Sequence, residues 1–159
     1  MRVQFVHGLE SSPQGKKARL FAQHFETRTP AMDTTDFEAC VRLQAEVLDE
    51  FKPDVLIGSS FGGAVVVALL QRSVWRGRTL LLAQASRMFL PEPRLPAEFR
   101  VTLLHGTDDE IVDVADSRAL AATGTPGYVE LIEVDDDHQL SRSLQSGALV
   151  ELVRRIAVQ

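Results

Sequence analysis

The sequence predicts an α/β domain built on a doubly wound, mostly parallel sheet of about six strands flanked by helices. Short, nearly continuous runs of Val, Ile and Leu recur along the 159 residues, as in strands that are buried on both faces of a parallel sheet. Segments with a helical spacing of apolar residues separate these runs, and the alternation continues to the end of the sequence. No linker or low-complexity segment interrupts it, so residues 1–159 are expected to form a single domain.

The strands are predicted from the apolar runs. Five runs are clear, and a sixth, weaker strand is predicted near residues 28–32. The three middle runs are nearly continuous Val, Ile and Leu and are expected to be buried on both faces of the sheet. The five clear runs are residues 3–6, 55–57, 79–83, 101–104 and 128–134.

The first two helices are predicted from capping signals and apolar spacing. Ser12 and Pro13 supply an N-cap and a first-turn proline, after which Ala18, Phe21, Ala22 and Phe25 recur at helical spacing. Thr35 and Glu38 form a capping box before the second helix, and the apolar face of that helix includes Cys40.

The later helices follow the same logic. Residues 61–70 are apolar nearly all round, which predicts a buried helix. Asp113 is expected to cap a helix that runs to about Ala122, and apolar residues line one face of the last helix. These are Leu149, Leu152, Val153 and Ile156.

The remaining long stretch, residues 84–99, is predicted to be irregular. It contains Pro91, Pro93 and Pro96, and three prolines in six residues argue against a helix. We therefore expect a semi-rigid loop there.

Composition excludes several classes of function. The net charge of −5 and the scattered positive residues give no reason to expect nucleic acid or an anionic membrane as a partner. Cys40 is the only cysteine, so neither an internal disulfide nor a Cys-based zinc site can form. The apolar stretch at the N-terminus is too short for a signal peptide and no run reaches transmembrane length. A cytoplasmic protein is expected.

A Gly-Ser turn divides the most hydrophobic segment of the chain. Gly58-Ser59-Ser60-Phe61-Gly62 fits G-x-S-x-G and lies between a predicted strand and a predicted helix, which is the context of a nucleophile elbow. The two glycines allow a sharp turn that displays Ser60 at the N-terminus of a helix, whose dipole favours developing negative charge. Ser60 is therefore the candidate nucleophile. The alternative is a Gly/Ser turn that carries no chemistry.

Candidates for a base and an orienting acid follow the last two predicted strands. A serine hydroxyl needs both groups to become a nucleophile. "HGTDDEIV" follows one strand and "DDDHQL" the next, so Asp109 and His138 fall on two loops at one edge of the sheet. Asp109 stands in G-x-x-D-x-x-V, but Asp108 and residues 135–137 remain alternatives for the acid. The alternatives without catalysis are that Asp108 and Asp109 form a helix-capping cluster and that His138 is a surface histidine.

The end of the first predicted strand suits an oxyanion site. His7 and Gly8 stand at that end, and the backbone N–H groups of Leu9 and Phe61 are expected to hold the tetrahedral intermediate. Such donors contribute roughly 3–4 kcal/mol each in known cases. His7 and His105 compete as bases, but each precedes a glycine at a strand end. Both are therefore expected to pack or form hydrogen bonds beneath the site.

These motifs resemble those of the α/β-hydrolases along essentially the whole chain. "HGLESSPQGKKA" and "KPDVLIGSSFGGAVVVAL" are similar to segments of the small bacterial YqiA-type esterases, in which H-G-x-x-S-S-P and G-S-S-x-G-G recur. The resemblance implies a minimal α/β-hydrolase with Ser60 as nucleophile, Asp109 as acid, His138 as base and residues 7–10 as the oxyanion loop. Only the proline-bearing loop follows Ala83, so no cap domain is expected.

The resemblance also implies hydrolysis of short carboxylic esters with no metal or organic cofactor. A small-molecule acyl ester is thus the expected substrate, and His7, Gly8 and Glu10 are candidates to contact it. The Glu10 carboxylate would oppose acidic substrates. Met88 and Phe89 could form one wall of a shallow acyl site, or could belong to a surface loop packed on the sheet edge.

The sequence therefore predicts a serine esterase that works through an acyl-enzyme. Ser60 would attack the carbonyl, His138 would accept and return the proton, and Asp109 would fix the imidazole tautomer. A thioesterase or an amidase with the same triad is one alternative. A non-catalytic binding protein that has kept the pocket is another.

Overall fold

A computed structural model describes all of residues 1–159. Six strands form one sheet in which every neighbouring pair is parallel, and seven helices cover its two faces. The strands are β1 (Arg2–Val6), β2 (Glu26–Arg28), β3 (Val55–Ser59), β4 (Arg78–Leu82), β5 (Val101–Gly106) and β6 (Val129–Val134). The helices are α1 (Lys16–His24), α2 (Phe37–Phe51), α3 (Phe61–Gln71), α4 (Ser86–Phe89), α5 (Val114–Ala122), α6 (Ser141–Gln145) and α7 (Ala148–Ala157).

The strand order, β2-β1-β3-β4-β5-β6, reverses direction at β1. The chain leaves β1 for β2 on one side and returns to build β3 to β6 on the other. A crevice opens at the carboxyl ends of the strands where a doubly wound sheet reverses. In this chain the crevice lies where β1 and β3 end.

The core forms two apolar layers, one on each face of the sheet. Alternate residues of the central strands point to opposite faces, so Leu56 joins one layer while Val55 and Ile57 join the other. Helix α3 contributes to the first layer and is buried from Phe61 to Leu70, as its all-round apolar sequence predicts. Helix α7 contributes its one apolar face to the second layer. These layers hold the strand ends rigid.

The weakest strand lies a few residues before its predicted position. The sixth strand was expected near residues 28–32 and is instead β2, Glu26–Arg28, at the edge of the sheet beside β1. Its three residues are Glu, Thr and Arg, and two of them are exposed. An edge strand with polar residues leaves no apolar pattern to detect.

Two predicted N-caps were wrong. Helix α1 begins at Lys16 after Gly15, because Ser12 and Pro13 form a separate turn in which the Ser12 carbonyl accepts a bond from the Gly15 amide. Helix α2 is capped by Asp36, whose carboxylate accepts from the Ala39 amide. The Asp113 cap of α5 is confirmed, since its carboxylate accepts from the Ala115 amide.

The stretch from 84 to 99 is not wholly irregular. It begins with the short helix α4, which ends before the first proline, Pro91. Leu90 is extended, as expected for a residue that precedes proline. The prolines therefore end this helix rather than prevent it. None of the seven helices combines the length and the apolar character that a membrane crossing requires.

Candidate active site

Ser60 lies on the sharp turn between β3 and α3. Its backbone has φ 55° and ψ −116°, a strained conformation for a residue with a side chain. The Ser60 amide donates to Leu82 O, and its carbonyl accepts from the Ala64 and Ala85 amides. Gly62 must be glycine, because a Cβ there would come within 2.0 Å of the Val6 carbonyl oxygen. The packing of α3 on β1 thus forces the turn that displays Ser60.

Three polar side chains meet at this turn. The Ser60 hydroxyl lies 3.0 Å from Nε2 of His138, and Nδ1 of His138 lies 2.7 Å from Oδ2 of Asp109. A carboxylate can only accept, so Nδ1 carries the proton and Nε2 is free to accept the serine proton. The Asp109 side chain is buried, whereas that of His138 is 20% exposed. This arrangement can deprotonate Ser60 at a site open to solvent.

Asp109, and not Asp108, contacts His138. Oδ1 of Asp109 also accepts hydrogen bonds from the amides of Ile111 and Val112, at 2.9 and 2.8 Å. Asp108 is exposed, and a hydrogen bond with the Asp135 carboxyl raises the pKa of Asp108. Asp135 is itself paired with an arginine at 2.6 Å. The geometry therefore separates two adjacent aspartates that the sequence left as alternatives.

Asp136 organises the loop that carries His138. Its Oδ1 accepts from the amides of Asp137 and Arg142, and its Oδ2 accepts from the amide and hydroxyl of Ser143. Burial by itself raises the pKa of Asp136, but these hydrogen bonds outweigh it, and the pKa lies below its ordinary value. From the sequence, Asp136 was only one of several alternatives for the triad acid, because an acidic run does not show which carboxylate turns inward.

The loop after β1 passes close to Ser60. A Cβ on Gly8 would lie 3.4 Å from Cβ of Ser60. The Leu9 amide donates to no protein group, and the Leu9 side chain is 49% exposed. Phe61 is the first residue of α3, so its amide has no acceptor within the helix. Two unused N–H donors thus flank the elbow, and their role as an oxyanion hole stays a prediction.

The histidines at the ends of β1 and β5 lie beneath the surface. His7 is buried, its Nδ1–H donates to the Gly8 carbonyl at 2.9 Å, and its Nε2 has no partner. His105 is fully buried, with Nε2 3.1 Å from Oδ2 of Asp109. Neither ring is open to a substrate in this structure. Glu10 is exposed on the same loop as Gly8.

The two candidates for an acyl wall lie on α4 in different surroundings. Met88 is 61% exposed. The half-buried Phe89 ring stacks on the Phe37 ring and meets the Phe61 ring edge-on. The centroids of the Phe89 and Phe61 rings are 4.9 Å apart. Because Phe61 follows Ser60 directly, Phe89 lies beside the elbow, whereas Met88 faces solvent.

Two clefts of the molecule lie away from these residues. One, of about 300 Å³, opens at the amino ends of β4, β5 and β6, and the other, of about 420 Å³, lies beside residues 90–94. Neither is lined by Ser60, Asp109 or His138. No group of three or more His, Cys, Asp or Glu side chains is arranged to hold a metal ion.

Comparison with known proteins finds similar structures. No protein-family model and no curated protein matches the sequence. A Xanthomonas campestris protein described as a hydrolase of the alpha/beta superfamily is 24% identical, with a TM-score of 0.71 over 97% of this chain and 98% of that one. A second protein from X. campestris, described as an a/b serine hydrolase without lid, is 24% identical, with a TM-score of 0.67 over 96% and 81%.

A monoacylglycerol lipase from Paleococcus ferrophilus is 15% identical, with a TM-score of 0.71 over 96% of this chain and 94% of that one. At these identities the likeness establishes the fold. The chain has the α/β-hydrolase fold in a minimal form, as the motifs predicted. The narrower resemblance to the YqiA-type esterases stays a prediction, and the fold by itself does not assign an activity.

Proposed function

We propose that the protein is a serine hydrolase that cleaves short-chain carboxylic esters through an acyl-enzyme. The observation that carries this proposal is the hydrogen-bonded chain from Ser60 through His138 to Asp109, at 3.0 and 2.7 Å. It stands on a strained elbow at the switch point of the sheet. Folds of this type host many functions, so the proposal rests on the site rather than on the fold.

The first half of the reaction would use all three side chains. Ser60 Oγ attacks the ester carbonyl while Nε2 of His138 removes its proton, and the buried Asp109 carboxylate stabilises the imidazolium that forms. The free amides of Leu9 and Phe61 would donate to the oxyanion. Nε2–H of His138 then protonates the departing alkoxide, which leaves the acyl group on Ser60.

The second half repeats these steps with water. His138 deprotonates a water molecule, which attacks the acyl carbon, and the proton returns to Ser60 as the acid leaves. The partial exposure of His138 supports this step, because solvent reaches the imidazole directly. Water is thus the second reactant, and it replaces the alcohol on the acyl group.

The openness of the site supports small acyl groups. Neither of the two clefts described above is lined by Ser60, and the aromatic side chain beside the elbow, Phe89, is already packed on Phe37 and Phe61. A buried methylene contributes about 0.8 kcal/mol, so a shallow site stops gaining affinity after a few carbons. Esters from acetate to butyrate are therefore the proposed substrates.

Covalent labelling tests whether Ser60 is activated. A fluorophosphonate probe is expected to modify the protein, and mass spectrometry should place the adduct on Ser60. Ser60→Ala should abolish labelling, because it removes the nucleophile. Ser59→Ala removes one hydroxyl from the same turn and is the matched control, which should keep labelling. A binding protein with no activated serine would not react, and that outcome would refute the proposal.

Matched substrates separate the remaining chemistries. Acetyl and butyryl groups would be presented as p-nitrophenyl esters, as thioesters and as anilides, and kcat/KM compared for each leaving group. The proposal expects the esters to be preferred. A larger kcat/KM for the thioesters or the anilides would reassign the triad to a thioesterase or an amidase.

A further inference from the structure

His105 is a buried histidine that the proposed mechanism does not use. It lies at the carboxyl end of β5, four residues before Asp109, and is fully buried. Its Nε2 lies 2.8 Å from the Val112 carbonyl oxygen and 3.1 Å from Oδ2 of Asp109. Its Nδ1 lies 2.7 Å from the Ser117 hydroxyl. Both ring nitrogens therefore have close polar partners in the interior.

These partners determine the tautomer of His105. A carbonyl oxygen and a carboxylate oxygen can only accept hydrogen bonds, so Nε2 must carry a proton. In a neutral imidazole Nδ1 is then an acceptor, and the Ser117 hydroxyl must donate to it. The neutral Nε2–H form uses both nitrogens without placing a second charge in the interior.

Gln84 explains why Ser117 donates. Nε2 of Gln84 donates to the Ser117 hydroxyl oxygen at 3.1 Å, which leaves the single Ser117 proton for Nδ1 of His105. Oε1 of Gln84 accepts from the Ser86 amide at 2.9 Å. The side chains of this chain of hydrogen bonds are all buried, so solvent cannot replace a missing partner.

This series of hydrogen bonds leads to Asp109, the carboxylate that His138 contacts. Oδ1 of Asp109 accepts from the amides of Ile111 and Val112, and Oδ2 accepts from His138. The Nε2–H group of His105 donates to the Val112 carbonyl, and the same nitrogen lies in contact with Oδ2 of Asp109 at 3.1 Å. With His105 removed, Val112 loses the hydrogen bond that fixes its carbonyl, and Oδ2 of Asp109 loses its polar contact on the buried side. The Val112 amide that holds Oδ1 is then less firmly placed, so rotation of the carboxylate about its Cβ–Cγ bond is less restricted. A rotated carboxylate would no longer hold His138 Nδ1 in line with Ser60.

We propose that His105 is a positioning residue, held in its Nε2–H form by Gln84 and Ser117, that orients the Asp109 carboxylate toward His138. This inference rests on the proposed function, because it concerns the same triad. It connects the site to the segment after β4, since Gln84 follows that strand and Ser86 is the first residue of α4. A histidine that merely filled the core would affect stability but not turnover.

The test compares two substitutions of His105. His105→Leu removes the donor to the Val112 carbonyl and the polar contact with Asp109, whereas His105→Gln keeps an N–H group near the position of Nε2. We expect His105→Leu to lower kcat for p-nitrophenyl acetate by about 10- to 100-fold, the size of effect seen when hydrogen-bond partners of functional side chains are removed. KM should change less than about threefold. His105→Gln should recover most of kcat.

Two further variants keep the test decisive. Thr102→Val, a buried substitution on the same strand, should leave kcat within about twofold. Ser117→Ala, which removes the hydroxyl that donates to Nδ1, should lower kcat by about three- to tenfold. If circular dichroism shows that His105→Leu does not fold, the kcat of Ser117→Ala tests the positioning role in its place. Equal turnover by folded His105→Leu and wild type, or equal losses in His105→Leu and His105→Gln, would overturn the proposal.

A spectroscopic measurement is independent of activity. Nitrogen-15 NMR of the imidazoles in Ser60→Ala protein should show His105 with a protonated Nε2 and a bare Nδ1. The Nδ1–H resonance of His138 should shift when His105→Leu is introduced. A bare Nε2, or an unmoved His138 signal, would refute the positioning role. If the wild type hydrolyses no ester, thioester or amide, the proposed function fails, and the NMR result still decides whether His105 orients Asp109.

Discussion

Ser59 and Ser60 are neighbouring hydroxyls in different surroundings. Ser59 is the last residue of β3 and is buried, whereas Ser60 takes the positive φ that turns its hydroxyl toward His138. Ser60→Ala is expected to fold normally and to lose about 10⁴- to 10⁶-fold in kcat, because the triad acts as a unit. Ser59→Ala should keep most of its activity. Steady-state hydrolysis of p-nitrophenyl acetate measures both, and a dead Ser59→Ala would contradict the elbow assignment.

Asp108 and Asp109 offer a second matched pair. Asp109→Asn should lower kcat by about 10³- to 10⁴-fold, because an amide can stabilise the wrong tautomer of His138. Asp108→Asn should have a small effect, since that carboxyl meets Asp135 rather than His138. The same assay with both variants at matched concentration decides the point. Small and equal losses would show that Asp109 is not the orienting acid.

At the scale of elements, α4 is the segment expected to limit the acyl group. Phe89 packs against Phe61 beside the elbow, while Met88 on the same helix faces solvent. We expect kcat/KM for p-nitrophenyl esters to be highest from acetate to butyrate and to fall by hexanoate or octanoate. Phe89→Ala should flatten this preference but keep turnover of acetate, with Met88→Ala as the control. An optimum at dodecanoate, measured below the micelle concentration, would reveal a deep acyl tunnel.

The loop between β6 and α6 is a second element with a testable role. Asp136 accepts four hydrogen bonds there, two residues before His138. Asp136→Asn should lower the free energy of unfolding by about 1–3 kcal/mol, because an amide offers a single acceptor to four buried donors. Chemical denaturation measures this. Asp135→Asn, at an exposed position, should change little, and equal losses in the two variants would contradict the anchoring role of Asp136.

For the whole molecule, activity and folding should respond to acid over different pH ranges. Neutral imidazole is the active form of the base, so kcat/KM should fall as the pH is lowered and the imidazole gains a proton. The pKa of Asp136 is lowered in the folded protein. Its contribution to stability is therefore present above the ordinary aspartate value of about 3.9 and is lost below it, as the pH falls through the folded value.

Circular dichroism and kcat/KM measured on the same samples between pH 3 and pH 9 test this separation. We expect the rate to decline while the far-ultraviolet spectrum is unchanged, and the spectrum to change only below about pH 4. A rate that is flat between pH 5 and 8 would contradict histidine base catalysis. If the protein instead unfolds over the same pH range in which the rate falls, the loss of rate results from unfolding rather than from protonation of the base.

Sequence patterns predicted the elements that are buried and missed those that are not. The central strands leave continuous apolar runs because both of their faces are covered, and α3 is apolar all round for the same reason. Strand β2 carries polar residues at the sheet edge, so its position was misjudged. The N-caps were misplaced because Ser, Thr and Asp cap helices almost equally well, and only the backbone geometry selects Asp36 for α2.

The sequence by itself determined the α/β class, the strand ends that carry polar groups and the candidate serine, aspartates and histidine. Only the tertiary structure decided that Asp109 turns toward His138 while Asp108 does not, that Asp136 anchors the loop, and that His105 joins Gln84 and Ser117 to Asp109. The reason is physical. Spacing and hydropathy report on neighbours along the chain, whereas these contacts join residues up to 33 positions apart.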